Sequence, residues 1–200
     1  MKWKESGSGG DFTPAPLGTH LARCIRVIDL GTQHEEFEGK PNVRRKVLIA
    51  WELPSEPNAD DEGKPFIVTQ FYTASLGEKA KLRAHLVSWR GREFTKEELA
   101  GFESKNILDK PCMVTVTPNQ NKKHVVSAVT GMIKGQTCPP RVHPTFYFSL
   151  DEFSKEAFES LSDGMRKIIE QSDEYKAIKS GKPPASVSVP TEDDSDSVPV

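Results

Sequence analysis

Two runs of positive charge are the residues most able to do chemistry in this chain. Arg44-Arg45-Lys46 sets three cations side by side, and Lys122-Lys123 adds two more. Cations grouped this way neutralise phosphates, and aromatic faces among them give unpaired bases something to stack on. Trp51 and Tyr72 are the aromatics in range of that role. Neighbouring strand residues point to opposite sides, so only one of Phe71 and Tyr72 can meet a ligand. The hydroxyl of Tyr72 tolerates water and makes it the expected platform. Trp51 shares a strand face with Val47, Ile49 and Leu53, so it reads more readily as core than as platform. Trp89 lies on an apolar helical stripe and reads as core. Arg44-Arg45-Lys46 has a second reading as a solvated strand end, and solvation is the expectation for Lys79, Lys81 and Arg83.

The opposite charge is collected at the other end of the sequence. Residues 183–200 contain no lysine, arginine or aromatic residue. Such a stretch cannot bury enough apolar surface to offset the entropy of ordering. It is expected to be a disordered acidic tail, with Glu192, Asp193, Asp194, Asp196, Pro199 and Val200 capturing partner proteins or competing for the cationic groove. The net charge of −2 hides this division. Residues 1–136 hold 20 basic and 17 acidic residues, and residues 137–200 hold 7 and 12.

Other chemistries find little support. No phosphate loop, nucleophile elbow or HExxH pair is present. Five histidines are scattered over the chain, and Cys138 with His143 supplies only two of the four ligands a zinc site needs. Asp60-Asp61-Glu62 reads as a solvated turn. Ser6-Gly7-Ser8-Gly9-Gly10 lacks the flanking strand and helix of a glycine cradle. No enzymatic activity, cofactor or metal is expected. Three distant cysteines suit a reducing compartment, and no apolar run nears the roughly 18 residues of a membrane span. The expected location is the cytoplasm.

The elements that would position these residues alternate in period. Leu21–Leu30 reads as a first strand, Gly31–Asn42 as a loop and Val43–Leu53 as a second strand. That second strand has Val47, Ile49, Trp51 and Leu53 on one face and Lys46, Leu48, Ala50 and Glu52 on the other. Pro54–Lys64 is a turn, and Pro65–Thr73 a third strand. Ser75…Glu78 fits a capping box opening a helix that Gly91 ends, and Thr95…Glu98 fits a second. Strands return at Pro111–Thr117 and His124–Val129, joined by a polar loop carrying Lys122 and Lys123.

Three strands, a helix and two strands is the order of a five-stranded OB-fold barrel. Arg44-Arg45-Lys46 and Lys122-Lys123 would then rim its binding face together. The expected class is mainly β with helical additions. Its parts are a flexible leader (1–17), an OB-fold domain (18–136), a helical extension (137–180) and a disordered tail (181–200). The extension has a proline-rich connection at 137–145. Apolar residues at helical spacing follow through 146–178, with Ser154, Ser162 and Ser172 as N-caps. It is too small for a core of its own, so it packs on the barrel or on a partner.

Gly18-Thr19-His20-Leu21-Ala22-Arg23-Cys24, Val27-Ile28-Asp29-Leu30-Gly31-Thr32-Gln33, Trp51-Glu52-Leu53-Pro54, Tyr72-Thr73 and Ser88-Trp89-Arg90-Gly91-Arg92 together resemble a bacteriophage-encoded family of OB-fold single-stranded DNA-binding proteins. The resemblance spans about residues 18–178. It implies a protein that coats single-stranded DNA in phage replication or recombination. The tail is similar to the acidic ends with which bacterial single-stranded DNA-binding proteins recruit replication and repair enzymes, with Val200 where those have an aromatic residue. The alternative is an OB-fold adaptor that binds a replication or recombination enzyme rather than DNA. A homo-oligomer is open on either reading.

Overall fold

The computed structural model describes residues 13–37 and 39–181. Their centre is a six-stranded sheet in which β1 (Gly18–Phe37) is shared between two halves. Its first residues pair antiparallel with β4 (Pro111–Pro118), from Gly18 opposite Val116 to Arg23 opposite Pro111. From Arg23 onward it pairs antiparallel with β2 (Lys40–Pro57). β3 (Pro65–Thr73) lies outside β2, and β5 (His124–Thr130) outside β4, giving the path β3-β2-β1-β4-β5. The path's two ends, β3 and β5, approach to within 8 Å between Cα atoms. No ladder joins them, so by hydrogen bonding the sheet is open. The short β6 (Phe146–Phe148) adds to β1 in parallel.

Alternation assigns the faces. Val47, Ile49, Trp51 and Leu53 of β2 turn inward with Phe66, Val68 and Tyr72 of β3, as their cross-strand register requires. The inner core is completed by Val114 and Val116 of β4 and by Val126 and Val129 of β5. Leu86 of α1 (Lys81–Arg90), Phe94, and Ile107 of the 3-10 turn Ser104–Ile107 close it from the segment between β3 and β4. β1 serves both faces because it carries two bulges. The extra residues, Ile25 and Leu30, are both fully buried on the outer side. A bulge inserts one unpaired residue and bends the strand, which lets β1 curl around the core while sending those two side chains outward.

The outer face of β1 and β2 is covered by the C-terminal segment. Ile25, Ile28, Leu30, Leu48 and Ala50 pack under Phe148, Leu150, Phe158, Leu161 and Ile169. The latter come from β6, α3 (Lys155–Glu159), α4 (Asp163–Glu170) and the loops between them. The extension thus borrows half of its core from the sheet. Ser154, Ser162 and Ser172 cap α3, α4 and α5 (Asp173–Lys179), each accepting a backbone N–H three residues on, as the sequence predicts. Gly31 is the tightest point of this contact. It sits at φ +70°, and a Cβ there would fall 2.5 Å from Ser172 Cβ and 2.7 Å from Leu150 Cδ1.

Several local expectations change. Gly31–Asn42 is no loop: β1 and β2 continue as a hairpin arm to Phe37 opposite Lys40. The arm carries polar residues, so its strands leave no apolar alternation to read. Ladder hydrogen bonds and cross-strand pairs such as Lys46–Glu35 (3.1 Å) hold it instead. The first helix begins at Lys81 rather than beside Ser75, with Ala80 at its N-cap and no side-chain cap. Ser75 Oγ accepts from Gly77 N–H in a tight turn. The Thr95–Glu98 capping box forms and starts α2 (Lys96–Ala100). Phe146–Phe148 is strand, not helix, because sheet edge is available beside β1. Residues 13–17 of the expected leader are anchored: Ala15 is buried and its carbonyl meets His124 Nδ1 at 2.6 Å. The rest of the leader and the tail from residue 182 onward lie outside the described residues.

Candidate functional site

The two aromatic platforms expected from the sequence are interior residues. Trp51 is 1% exposed and Tyr72 3%. Tyr72 faces inward because it pairs with Val47, and its hydroxyl is satisfied there by His85 Nδ1 at 2.8 Å. Burial raises the phenol's pKa and, with Lys81 nearby, lowers that of the His85 imidazole to about 4. Trp51 meets Tyr72 edge-on and Trp89 at a tilt, with centroids 6.5 and 6.4 Å apart. Among the described residues its indole N–H has no partner. In this fold neither side chain can lie against a base.

The outward aromatic is Phe71, 47% exposed and the single exposed aromatic among the described side chains. It stands opposite Leu48, while Lys46 stands opposite Thr73. Residues two apart on a strand share a face, so Phe71, Lys46 and Arg44 project from one side of the β2–β3 ladder. The parity of β3 contained this answer: Phe66, Val68 and Tyr72 alternate with the core, which leaves Phe71 outside. The polarity of the tyrosine hydroxyl pointed the other way, because its internal partner His85 is 13 residues off in sequence.

The basic triplet divides into separate roles. Arg45 is structural. Its Nε donates to Asp29 Oδ1 (3.1 Å), and its Nη2 lies 2.9 Å from Asp151 Oδ1. Burial works against the charge, yet Asp29 and Asp151 outweigh it and hold the guanidinium above its ordinary pKa. Lys46 pairs with Glu35, whose carboxylate is half exposed. Such a surface pair is worth about 0–1 kcal/mol and is readily exchanged for a phosphate. Arg44 Nε donates to Asn42 Oδ1 at 2.6 Å.

Lys122 and Lys123 are exposed on a tight turn. Asn119 Oδ1 accepts from Asn121 N–H and Lys123 N–H, and Lys122 sits at φ +58°. Neither lysine has an ion-pair partner among the described residues. By strand register they sit toward the other end of β1 from the triplet. Their turn leaves β4 beside Gly18, at the start of β1, while the arm lies at the end of β1, with Gln33 opposite Arg44. The tail residues Glu192, Asp193, Asp194, Asp196, Pro199 and Val200 lie outside the described part.

Cys138 and His143 are engaged separately. The thiol donates to Ala22 O (3.6 Å), and the imidazole meets Glu52 Oε2 at 2.6 Å. No group of three or more His, Cys, Asp or Glu with metal-site geometry occurs among the described residues. Among them, too, no helix is long and apolar enough to cross a membrane. The chain matches no protein-family model, and no curated protein is significantly similar to it.

Proposed function

We propose that this protein binds single-stranded DNA on the outer side of the β2–β3 ladder, without catalysing a reaction. Phe71 stacks on a base, and Lys46 and Arg44 contact the adjoining phosphates. Lys122 and Lys123 hold the strand at a second point. The observation that carries this reading is the exposed Phe71 standing on one ladder face with two cations. Stacking of this kind is worth about 1–3 kcal/mol per base and tolerates any sequence.

The finer architecture belongs to the same proposal: an OB-type barrel. Its support is the path β3-β2-β1-β4-β5, the helix between β3 and β4, and the approach of β3 to β5. The likeness of the sequence to phage single-stranded DNA-binding proteins points the same way. In this reading the acidic stretch Glu192–Asp196, with Pro199 and Val200, recruits replication or recombination enzymes in the bacterial host.

Titration with oligo-dT tests it. Phe71→Ala should weaken binding by roughly 5- to 150-fold, the equivalent of one lost stack, while Tyr72→Phe leaves it unchanged. Four phosphate contacts should give a slope of log K against log salt near −3, at about −0.7 per contact. Binding that ignores both Phe71 and salt would sink the proposal. Failure to bind oligo-dT, beside firm capture of a replication enzyme, would favour the adaptor reading.

A further inference from the structure

The helical segment between β3 and β4 encloses a recess of about 380 Å³, within the size range of small-ligand sites. Trp89, Phe102 and the buried Ile107 are among its apolar lining residues. Its polar lining has unspent donors. Arg90 gives Nη2 to Glu98 at 2.6 Å, and its guanidinium lies 4.1 Å from the centroid of Phe94. Arg90 Nη1 is fully buried and, among the described residues, has no hydrogen-bond partner, so it lies out of a ligand's reach. Lys110 and Asn106 are exposed at the recess, and neither side chain has a partner among the described residues. Glu98 is already engaged by Arg90 and Arg92. Glu103 is the remaining carboxylate of the lining.

We propose that this recess binds a nucleoside monophosphate. Trp89 and Phe102 offer apolar surface to a planar base, and Asn106 offers hydrogen bonds to its edge. Lys110 offers charge to the phosphate, and Glu103 an acceptor to a sugar hydroxyl. Apolar aromatic surface beside an unspent amide and an unpaired cation matches that combination better than a purely aliphatic or purely anionic ligand. The nucleotide is either free or the phosphorylated end of a strand. None of these residues belongs to the Phe71 face, so the inference stands independently of the strand-binding proposal.

Calorimetric titration of the full chain with dTMP, thymidine, inorganic phosphate and a 5′-phosphorylated oligo-dT tests it. Saturable dTMP binding is expected, tighter than thymidine and absent for phosphate alone. Lys110→Ala should weaken it by about tenfold, the worth of one charge-assisted contact, and Asn106→Ala should weaken it less. Phe71→Ala should leave it unchanged. In the Phe71→Ala background, oligonucleotide binding that keeps the Lys110 dependence assigns a strand end, and dTMP binding alone assigns the free nucleotide. No saturable dTMP binding, equal binding of phosphate, or indifference to Lys110→Ala with Asn106→Ala would each overturn the assignment. Lys110 and Asn106 are exposed, so those variants should fold.

Discussion

On the inner face of the sheet Trp51, Leu53, Val114 and Val126 belong to an apolar cluster whose few side-chain hydrogen bonds include Tyr72–His85 and Trp89 Nε1–H to Pro111 O at 2.8 Å. Where the C-terminal segment meets the sheet, an apolar cluster of similar kind is supplemented by three buried carboxylates. Asp29 accepts from Leu150 N–H at 3.0 Å, and Glu52 from the N–H groups of Val142 and His143 at 2.7 Å each. Glu174 accepts from Thr32 N–H and Oγ1–H, again at 2.7 Å each. Arg23 adds the reverse contact, donating to Pro139 O and Cys138 O.

The difference follows from how each cover is built. Strands lining the inner face satisfy one another's backbone in ladders. The C-terminal segment reaches the sheet largely through irregular stretches, whose buried N–H groups need acceptors. A carboxylate offers several lone pairs from one side chain, so a few acids can seal a loop to a sheet.

The strongest test of this contrast is Trp51→Ala, which should destabilise the protein by about 3–5 kcal/mol through cavity formation. Urea unfolding should show a lower midpoint with an unchanged slope. Glu52→Leu should cost less, about 3 kcal/mol, by stranding two N–H groups and the His143 ring. Its loss should be local: hydrogen exchange at Val142 and His143 should accelerate while Ile49 and Trp51 stay protected. Equal acceleration everywhere would mean the two faces unfold as one unit, and the contrast would fail.

A third test uses pH. Burial and Lys81 hold His85 near 4 in the fold, below the ordinary imidazole value of 6.5. Between those values the unfolded chain binds more protons, so stability is full above pH 6.5 and falls as pH drops toward 4. The loss should be about 2 kcal/mol once solvent access to the ring is discounted. His85→Gln, which keeps an acceptor for Tyr72, should flatten this inner-face contribution. The smallest effect belongs to the open part of the outer side. Phe71→Ala should change stability by no more than about 0.5 kcal/mol, since about half of the residue already faces water. A larger loss would mark Phe71 as packing rather than a binding surface.

The residue order alone determined the strand Pro65–Thr73, the pair β4 and β5, the caps at Thr95, Ser154, Ser162 and Ser172, and the inward set of β2. These are local matters: alternation and capping act within a few residues, so the sequence carries them openly. It could not determine that Arg45 serves Asp29 and Asp151, or that Tyr72 finds His85. Nor could it reveal the hairpin arm, or that Ile25 and Leu30 bulge outward to meet a helical segment more than 100 residues away. Those outcomes depend on partners distant along the chain, and only the folded arrangement brings an acid to a cation or a hydroxyl to a ring. That is why the candidate platform moved by one residue, from Tyr72 to Phe71: the side of the sheet was legible, but the polar partner that makes a tyrosine content inside was not.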